Sequence, residues 1–336
     1  MLYLTDPACL EHDPSEGLPG HPEVPERLVA IERELAAREW LGCERRAAPV
    51  ATEAELRLIH PQRQIDAIAA LGAAGGGAVD ADTWVGTESH RAALHAAGGA
   101  CEMVRALLGG EHRAGFCAVR PPGHHAEPER AMGFCLFDNL AIAAELAIRE
   151  LGAERVFVLD WDVHHGSGTV EAFRHRADVL VAGIHQAGIF PGGGELEDTG
   201  SGAGEGYTVN LPVPAGTGEE VWLPLVEHVV LPVAAAHEPD LVLISAGFDA
   251  HRADPLGGCL LEAGSYAAMA CQVRDAAAAL GAPVGAVLEG GYAPTALAES
   301  VAATIAALDG EGEAVATARP AAIPRVAELL GDRWEL

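Results

Sequence analysis

Apolar residues in this chain gather in short unbroken runs instead of alternating with polar ones. Gly115-Phe116-Cys117-Ala118-Val119, Val156–Leu159 within 155–160, Val179–Ile184, Tyr207–Leu211, Leu241–Ser245 and Val284–Leu288 are such runs. Each is short enough for a strand and too continuous for a strand with one face in water. The stretches between them read as helices. Asp138-Asn139 caps a helix over Leu140–Leu151 that Gly152 ends, and further helices are predicted near 166–174, 219–236, Ala263–Leu280 and Thr295–Leu308. Before the first run, Pro25 opens a helix to Trp40, a helix around Thr52–Leu71 is interrupted or kinked near Pro61, and Ser89–Leu108 is an Ala-rich helix. Residues 1–24 read as loop, and Gly75-Gly76-Gly77 opens a second loop carrying Asp80, Asp82, Thr83 and Trp84. Strands alternating with helices predict an α/β fold with a mostly parallel central sheet covered by helices on both faces.

Polar clusters follow four of these runs: His124-His125, Asp160–His165, Phe248-Asp249-Ala250-His251 and Glu289-Gly290-Gly291-Tyr292. Ligands of open α/β sheets bind beyond the carboxyl ends of the strands, so the four clusters should share one pocket. They span residues 116–292, and any cut into two domains would split them. A single domain over 1–336 is therefore expected.

Composition narrows the class. The chain has 336 residues, 49% of them hydrophobic, enough for a large core. No apolar run has the length of a membrane span, and the first residues lack the pattern of a secretory signal. Seven single cysteines with no C-x-x-C pair suit reduced thiols in a cytoplasm, with Cys117 and Cys135 packed inside. The formal net charge is −28, from 49 acidic and 21 basic residues. This argues against direct nucleic-acid binding and favours, if anything, cationic small molecules or basic peptides. A homo-oligomer is compatible with the sequence but not specified by it.

The richest stretch is Asp160-Trp161-Asp162-Val163-His164-His165-Gly166. On an extended chain Asp160, Asp162 and His164 share a face. Carboxylate and imidazole together suit zinc or another first-row divalent ion; the plainer alternative is a salt-bridged strand end. Asp162, His164 and Asp249 are the candidate ligands, three in number, which leaves a position open for water and substrate. His124 and His125, behind a rigid Pro-Pro-Gly turn, are candidates for general base and acid. Tyr292, after Gly290 and Gly291, which permit close backbone approach, could donate to an oxyanion. Phe134, after Gly133, and Phe190, before Pro191, are candidates for channel walls.

Together these segments resemble the histone deacetylase superfamily, its class II branch in particular. The matching segments are Arg120-Pro121-Pro122-Gly123-His124-His125-Ala126, Gly133-Phe134-Cys135, Asp160–Gly166, Ser245–His251, Asp254-Pro255-Leu256-Gly257-Gly258 and Leu288–Tyr292, with His21-Pro22-Glu23 to Arg27 resembling the first loop. The resemblance implies an arginase/deacetylase fold and zinc-dependent hydrolysis of an acylated amine. It implies one zinc ion on Asp162, His164 and Asp249, with His125 moving the proton and His124 acting electrostatically, oriented by Asp160. Tyr292 would stabilise the oxyanion, and His165 is left a structural role. Where class I members have Asp and class II members Asn or Gln, this chain has the shorter Ser167, which leaves the support of His125 open. Asp160 resembles a ligand of the family's structural potassium ion, although Gly183 replaces the Ser that often joins it.

Arginase-like ureohydrolases share the fold but hold two manganese ions; Gly166 and His251 stand where further carboxylates would be needed. A catalytically inactive acyl-group binder is a second rival, against which His124, His125 and Tyr292 all speak. Acetylpolyamine deacetylases of the family can carry Glu where Leu256 stands. The expected substrate is thus an acetylated or otherwise acylated lysine in a peptide or protein, with an acetylated polyamine as runner-up.

Overall fold

The computed structural model describes residues 1–319, 323–331, 333 and 334. Its centre is an eight-stranded sheet built from β1 (Leu2–Thr5), β2 (Glu44–Ala47), β5 (Ala114–Cys117), β6 (Val156–Asp160), β7 (Val179–Gln186), β8 (Thr208–Val213), β9 (Leu241–Ala246) and β10 (Val284–Leu288). A separate antiparallel pair, β3 (Gly77–Ala78) and β4 (Trp84–Val85), frames the loop that carries Asp80–Thr83. The sheet order is β2-β1-β5-β10-β9-β6-β7-β8, and every neighbouring pair is parallel. The six apolar runs are the six strands from β5 to β10 that belong to this sheet. Their side chains are buried on both faces, which is why the runs do not alternate.

Two sheet strands lie where sequence patterning gives no strand. β1 is Leu2-Tyr3-Leu4-Thr5, almost wholly buried but masked by the turn residues that follow it. β2 is Glu44-Arg45-Arg46-Ala47, an exposed edge strand whose charges carry no apolar signal and guard the edge against pairing. The helix from Pro25 is shorter than expected, Glu26–Ala37, because Trp40 and Leu41 take positive φ. Of the interruption or kink expected near Pro61, the structure has the interruption, between Glu53–Leu56 and Gln62–Ala73. Over 219–237 a five-residue π stretch, Val226–Val230, joins two helical pieces. A helix over Ile323–Leu330 follows the last predicted element.

The chain passes from β5 to β6 across two vacant places that β10 and β9 later fill. The loops after these four central strands therefore leave the same edge of the sheet side by side. Asp138 caps the intervening helix Asn139–Glu150, its carboxylate accepting from Ala141 N and from Thr169 Oγ1, both at 2.8 Å. No helix among the described residues is long and apolar enough to cross a membrane.

Candidate active site

The four loops meet at one point. After β6, Asp162 and His164 turn inward, and after β9 Asp249 reaches the same place. His164 Nδ1 lies 3.1 Å from Asp162 Oδ1 and 3.1 Å from Asp249 Oδ2. The three side chains can offer donor atoms within 4.8 Å of one another. Ligands of a tetrahedral ion with bonds of about 2.0–2.1 Å stand roughly 3.3 Å apart, so the spacing fits a first-row divalent cation. Oxygen from two carboxylates and nitrogen from one imidazole is also a suitable donor set.

The carboxylates are fixed from behind. Asp162 Oδ1 accepts from His164 N at 2.9 Å, Asp162 Oδ2 from Gly290 N at 2.9 Å, and Asp249 Oδ1 from Val163 N at 2.8 Å. Glycine is required here for space. A Cβ at Gly290 would lie 2.1 Å from Asp249 Oδ2, one at Gly247 2.0 Å from Asp162 Oδ2, and one at Gly166 2.1 Å from Asp160 Oδ2. Burial and the Asp162 charge push the Asp249 carboxyl up to about 7. Burial also works against the Asp162 charge, but His124 and His164 outweigh it and hold that carboxyl low. A dication between the two would favour the charged form of both, because its charge dominates a site of this size.

Beside the triad, the His124 and His125 rings lie 3.9 Å apart between centroids. His124 Nδ1 is 2.9 Å from Asp160 Oδ2, while Asp160 Oδ1 accepts from Asp162 N at 3.0 Å. Burial alone would strip His124 of its proton, but Asp162 and Asp160 prevail and hold it well above the ordinary imidazole value. His125 has the opposite fate: burial first, then the neighbouring His124 and His164, push it well below. Two adjacent groups driven apart in this way are suited to different roles. His125 Nδ1 and Ser167 Oγ are both buried without hydrogen-bond partners, so Ser167 makes no direct bond to His125.

A cleft of about 230 Å³ opens over His125 and His164 and is lined by Gly133, Phe134, Ile189, Phe190, Leu256, Tyr292 and Asp82. The Phe190 ring stands edge-on to His125 at 5.1 Å, and Phe134 edge-on to Tyr292 at 5.7 Å. Phe134 takes φ +66°, a left-handed conformation that costs a non-glycine residue roughly 1–2 kcal/mol. Its N–H donates to Thr83 Oγ1 at 3.1 Å and its ring packs on His21 at 4.4 Å, contacts that hold it in place. Burial keeps the Tyr292 phenol protonated, far above its usual value, against the pull of Arg27. The Arg27 guanidinium sits 4.8 Å from the Tyr292 ring centre.

Of the expected channel residues, Gly133, Phe134, Phe190 and Leu256 line the cleft. Gly290 and Gly291 do not: they lie behind it, Gly290 against the two carboxylates and Gly291 against Phe248 and Leu297. Both therefore move from the channel to positions behind it: Gly290 because its backbone must approach Asp162 and Asp249, Gly291 because it packs against Phe248 and Leu297. His165 is buried and packs on His185, rings 4.9 Å apart. Sequence reasoning missed Asp82 and Ile189 on the cleft wall. It also missed the partners behind Tyr292: Arg27, whose Nε donates to Gly291 O at 2.6 Å, and Asp254, whose Oδ2 accepts from Tyr292 N at 2.6 Å. Only the Gly-Gly-Tyr motif hinted that something must hold the loop.

Comparison with known proteins agrees with this arrangement. Residues 21–308 match the family model described as the histone deacetylase domain. Histone deacetylase 15 of Arabidopsis thaliana is 40% identical over 300 residues, which cover 87% of this chain and 53% of the plant protein, about half its length. The histone deacetylase-like amidohydrolase of Pseudomonas aeruginosa is 40% identical, with 88% of this chain and 79% of that protein covered. A probable deacetylase of Methanothermobacter thermautotrophicus is 38% identical, with 83% of each chain covered. The crystal structure of the HDA15 HD domain superposes with a TM-score of 0.93 at 37% identity, covering 99% of this chain and 94% of that one. An eight-stranded parallel sheet with these loops at its carboxyl edge is thus the arginase/deacetylase fold, and the chain belongs to the histone deacetylase family.

Proposed function

We propose that the chain is a zinc-dependent amidohydrolase that removes acetyl or other acyl groups from lysine side chains. The observation that carries this reading is the convergence of Asp162, His164 and Asp249 at the foot of a cleft that also exposes His125 and Tyr292. Asp162, His164 and Asp249 would hold the ion. When bound, zinc polarises an acyl carbonyl and makes water nucleophilic near neutral pH.

The chain's own groups supply the remainder. Phe134 and Phe190 take the methylene stem of the acylated side chain between them. His125, favoured in its neutral form by burial and by the neighbouring His124, accepts the proton of the attacking water and returns it to the leaving amine. His124, kept protonated and anchored to Asp160, places a positive charge beside the reacting carbonyl. Tyr292 donates its O–H to the oxygen that becomes an oxyanion. Against an acyl-group binder without turnover stands the placement of His125 and Tyr292 on the same cleft as the candidate metal ligand His164, with His124 stacked beside His125.

Asp82 on the cleft wall favours one second reading, an acetylated polyamine whose distal ammonium meets that carboxylate. Leu256, an apolar residue 38% exposed at the cleft, favours the acyl-lysine peptide. Comparing kcat/KM for an acetyl-lysine peptide and for N-acetylputrescine separates them. The peptide is expected to be the better substrate; a large preference for N-acetylputrescine would overturn that choice and leave the reaction class intact.

A further inference from the structure

Glu289 is fully buried, and its side chain reaches away from its own loop. One oxygen, Oε2, accepts the N–H of Gly123 at 2.6 Å and the N–H of His124 at 3.1 Å. The backbone on either side is pinned as firmly. Glu289 N donates to Ala246 O at 3.0 Å, and Glu289 O accepts from Arg27 Nη2 at 2.5 Å. Gly290 N donates to Asp162 Oδ2, Gly290 O accepts from Phe248 N, and Tyr292 N donates to Asp254 Oδ2. A single residue therefore ties the turn carrying His124 and His125 to the loop carrying Tyr292.

Plain packing does not account for a carboxyl group at this position. Its other oxygen, Oε1, is enclosed without a hydrogen-bond partner, and an acid so placed is unfavourable unless its remaining bonds matter. Burial pushes the group up to about 8. Removing it would orphan the buried N–H groups of Gly123 and His124.

We propose that Glu289 is a positioning residue that holds the His124–His125 turn and the Tyr292 loop as one rigid body. The inference rests on the hydrolytic reading of those three residues. Its test uses E289Q, E289A and E289D in the metal-loaded full chain, with metal content checked against wild type. A glutamine keeps one oxygen that can accept both N–H groups, so E289Q should retain kcat within about threefold. E289A, and E289D with its acceptor drawn back, should lose roughly 10–100-fold in kcat with KM little changed, because small displacements of reacting groups carry penalties of this order.

Hydrogen exchange gives a readout independent of turnover. Peptides covering 121–126 and 289–293 should both exchange faster in E289A and E289D and not in E289Q. Wild-type kcat in E289D, loosening of only one of the two segments, or an E289Q as slow as E289A would each overturn the proposal. If E289A does not fold, E289D and E289Q decide alone. If wild type hydrolyses no acylated amine, the hydrolytic reading fails, and the paired loosening of the two segments still decides whether Glu289 joins them.

Discussion

At the floor of the cleft, Asp162 and Asp249 are 1% and 0% exposed, and backbone N–H groups from Val163, His164 and Gly290 hold their oxygens. At its mouth, Phe190 is 40% and Leu256 38% exposed, and no hydrogen bond of their side chains constrains them. The floor concentrates buried charge, which is tolerable only where every partner is fixed in advance. The mouth offers apolar surface and one carboxylate, Asp82, which adjust affinity with little demand on geometry. The contrast teaches that reaction and selectivity are built by different physics here. Changes at the floor should act on kcat, and changes at the mouth on KM.

The sharpest way to break that contrast is Tyr292→Phe. Loss of one oxyanion donor should lower kcat by a factor on the order of 10²–10³, with KM little altered, in steady-state assays on an acetyl-lysine peptide. Unchanged turnover would remove Tyr292 from the floor's function.

His60 tests the wall between the two regions. It lies within hydrogen-bonding distance of Pro128 O through Nδ1, at 3.1 Å, and accepts from Asp138 N through Nε2, at 2.9 Å, so it ties together the two ends of the segment carrying Phe134. That pattern needs the neutral ring, and burial lowers the group from 6.5 to about 4. A depressed folded value means stability that is complete above pH 6.5 and lost as pH falls towards 4. The shift of 2.5 corresponds to about 3 kcal/mol. Urea unfolding at pH 7 and pH 4.5 should show this loss in wild type and a smaller one in His60→Gln. Equal losses in both proteins would assign the acid sensitivity elsewhere.

Phe190→Ala should give the smallest effect. Loss of one apolar wall is expected to raise KM by roughly 3–10-fold at nearly constant kcat, the scale of a modest hydrophobic contact. A fall in kcat as large as that of Tyr292→Phe would erase the distinction between mouth and floor.

Much of the floor is legible in the sequence because its candidate ligands, Asp162, His164 and Asp249, and the anchor Asp160 all stand just past the ends of apolar runs. Asp160, Asp162 and His164 sit within five residues at the end of an apolar run, and Asp249 follows another such run. What supports them is not local. Arg27 reaches Gly291 across 264 positions, and Glu289 reaches Gly123 across 166. No periodicity records such contacts. The strands show the same division: the buried ones announce themselves by continuous apolar runs, whereas the charged edge strand Glu44–Ala47 follows from its pairing with β1. Gly290 and Gly291 are legible as sites of close approach, but that carboxylates approach Gly290 while Phe248 and Leu297 approach Gly291 depends on the fold.

Metal titration of the chelator-stripped protein, with hydrolysis of an acetyl-lysine peptide followed at each addition, tests the central claim most directly. One equivalent of zinc per chain should bind and restore turnover, and His164→Ala should bind none at that site. Turnover that survives chelation, or that needs two equivalents, would contradict a single catalytic ion held by Asp162, His164 and Asp249.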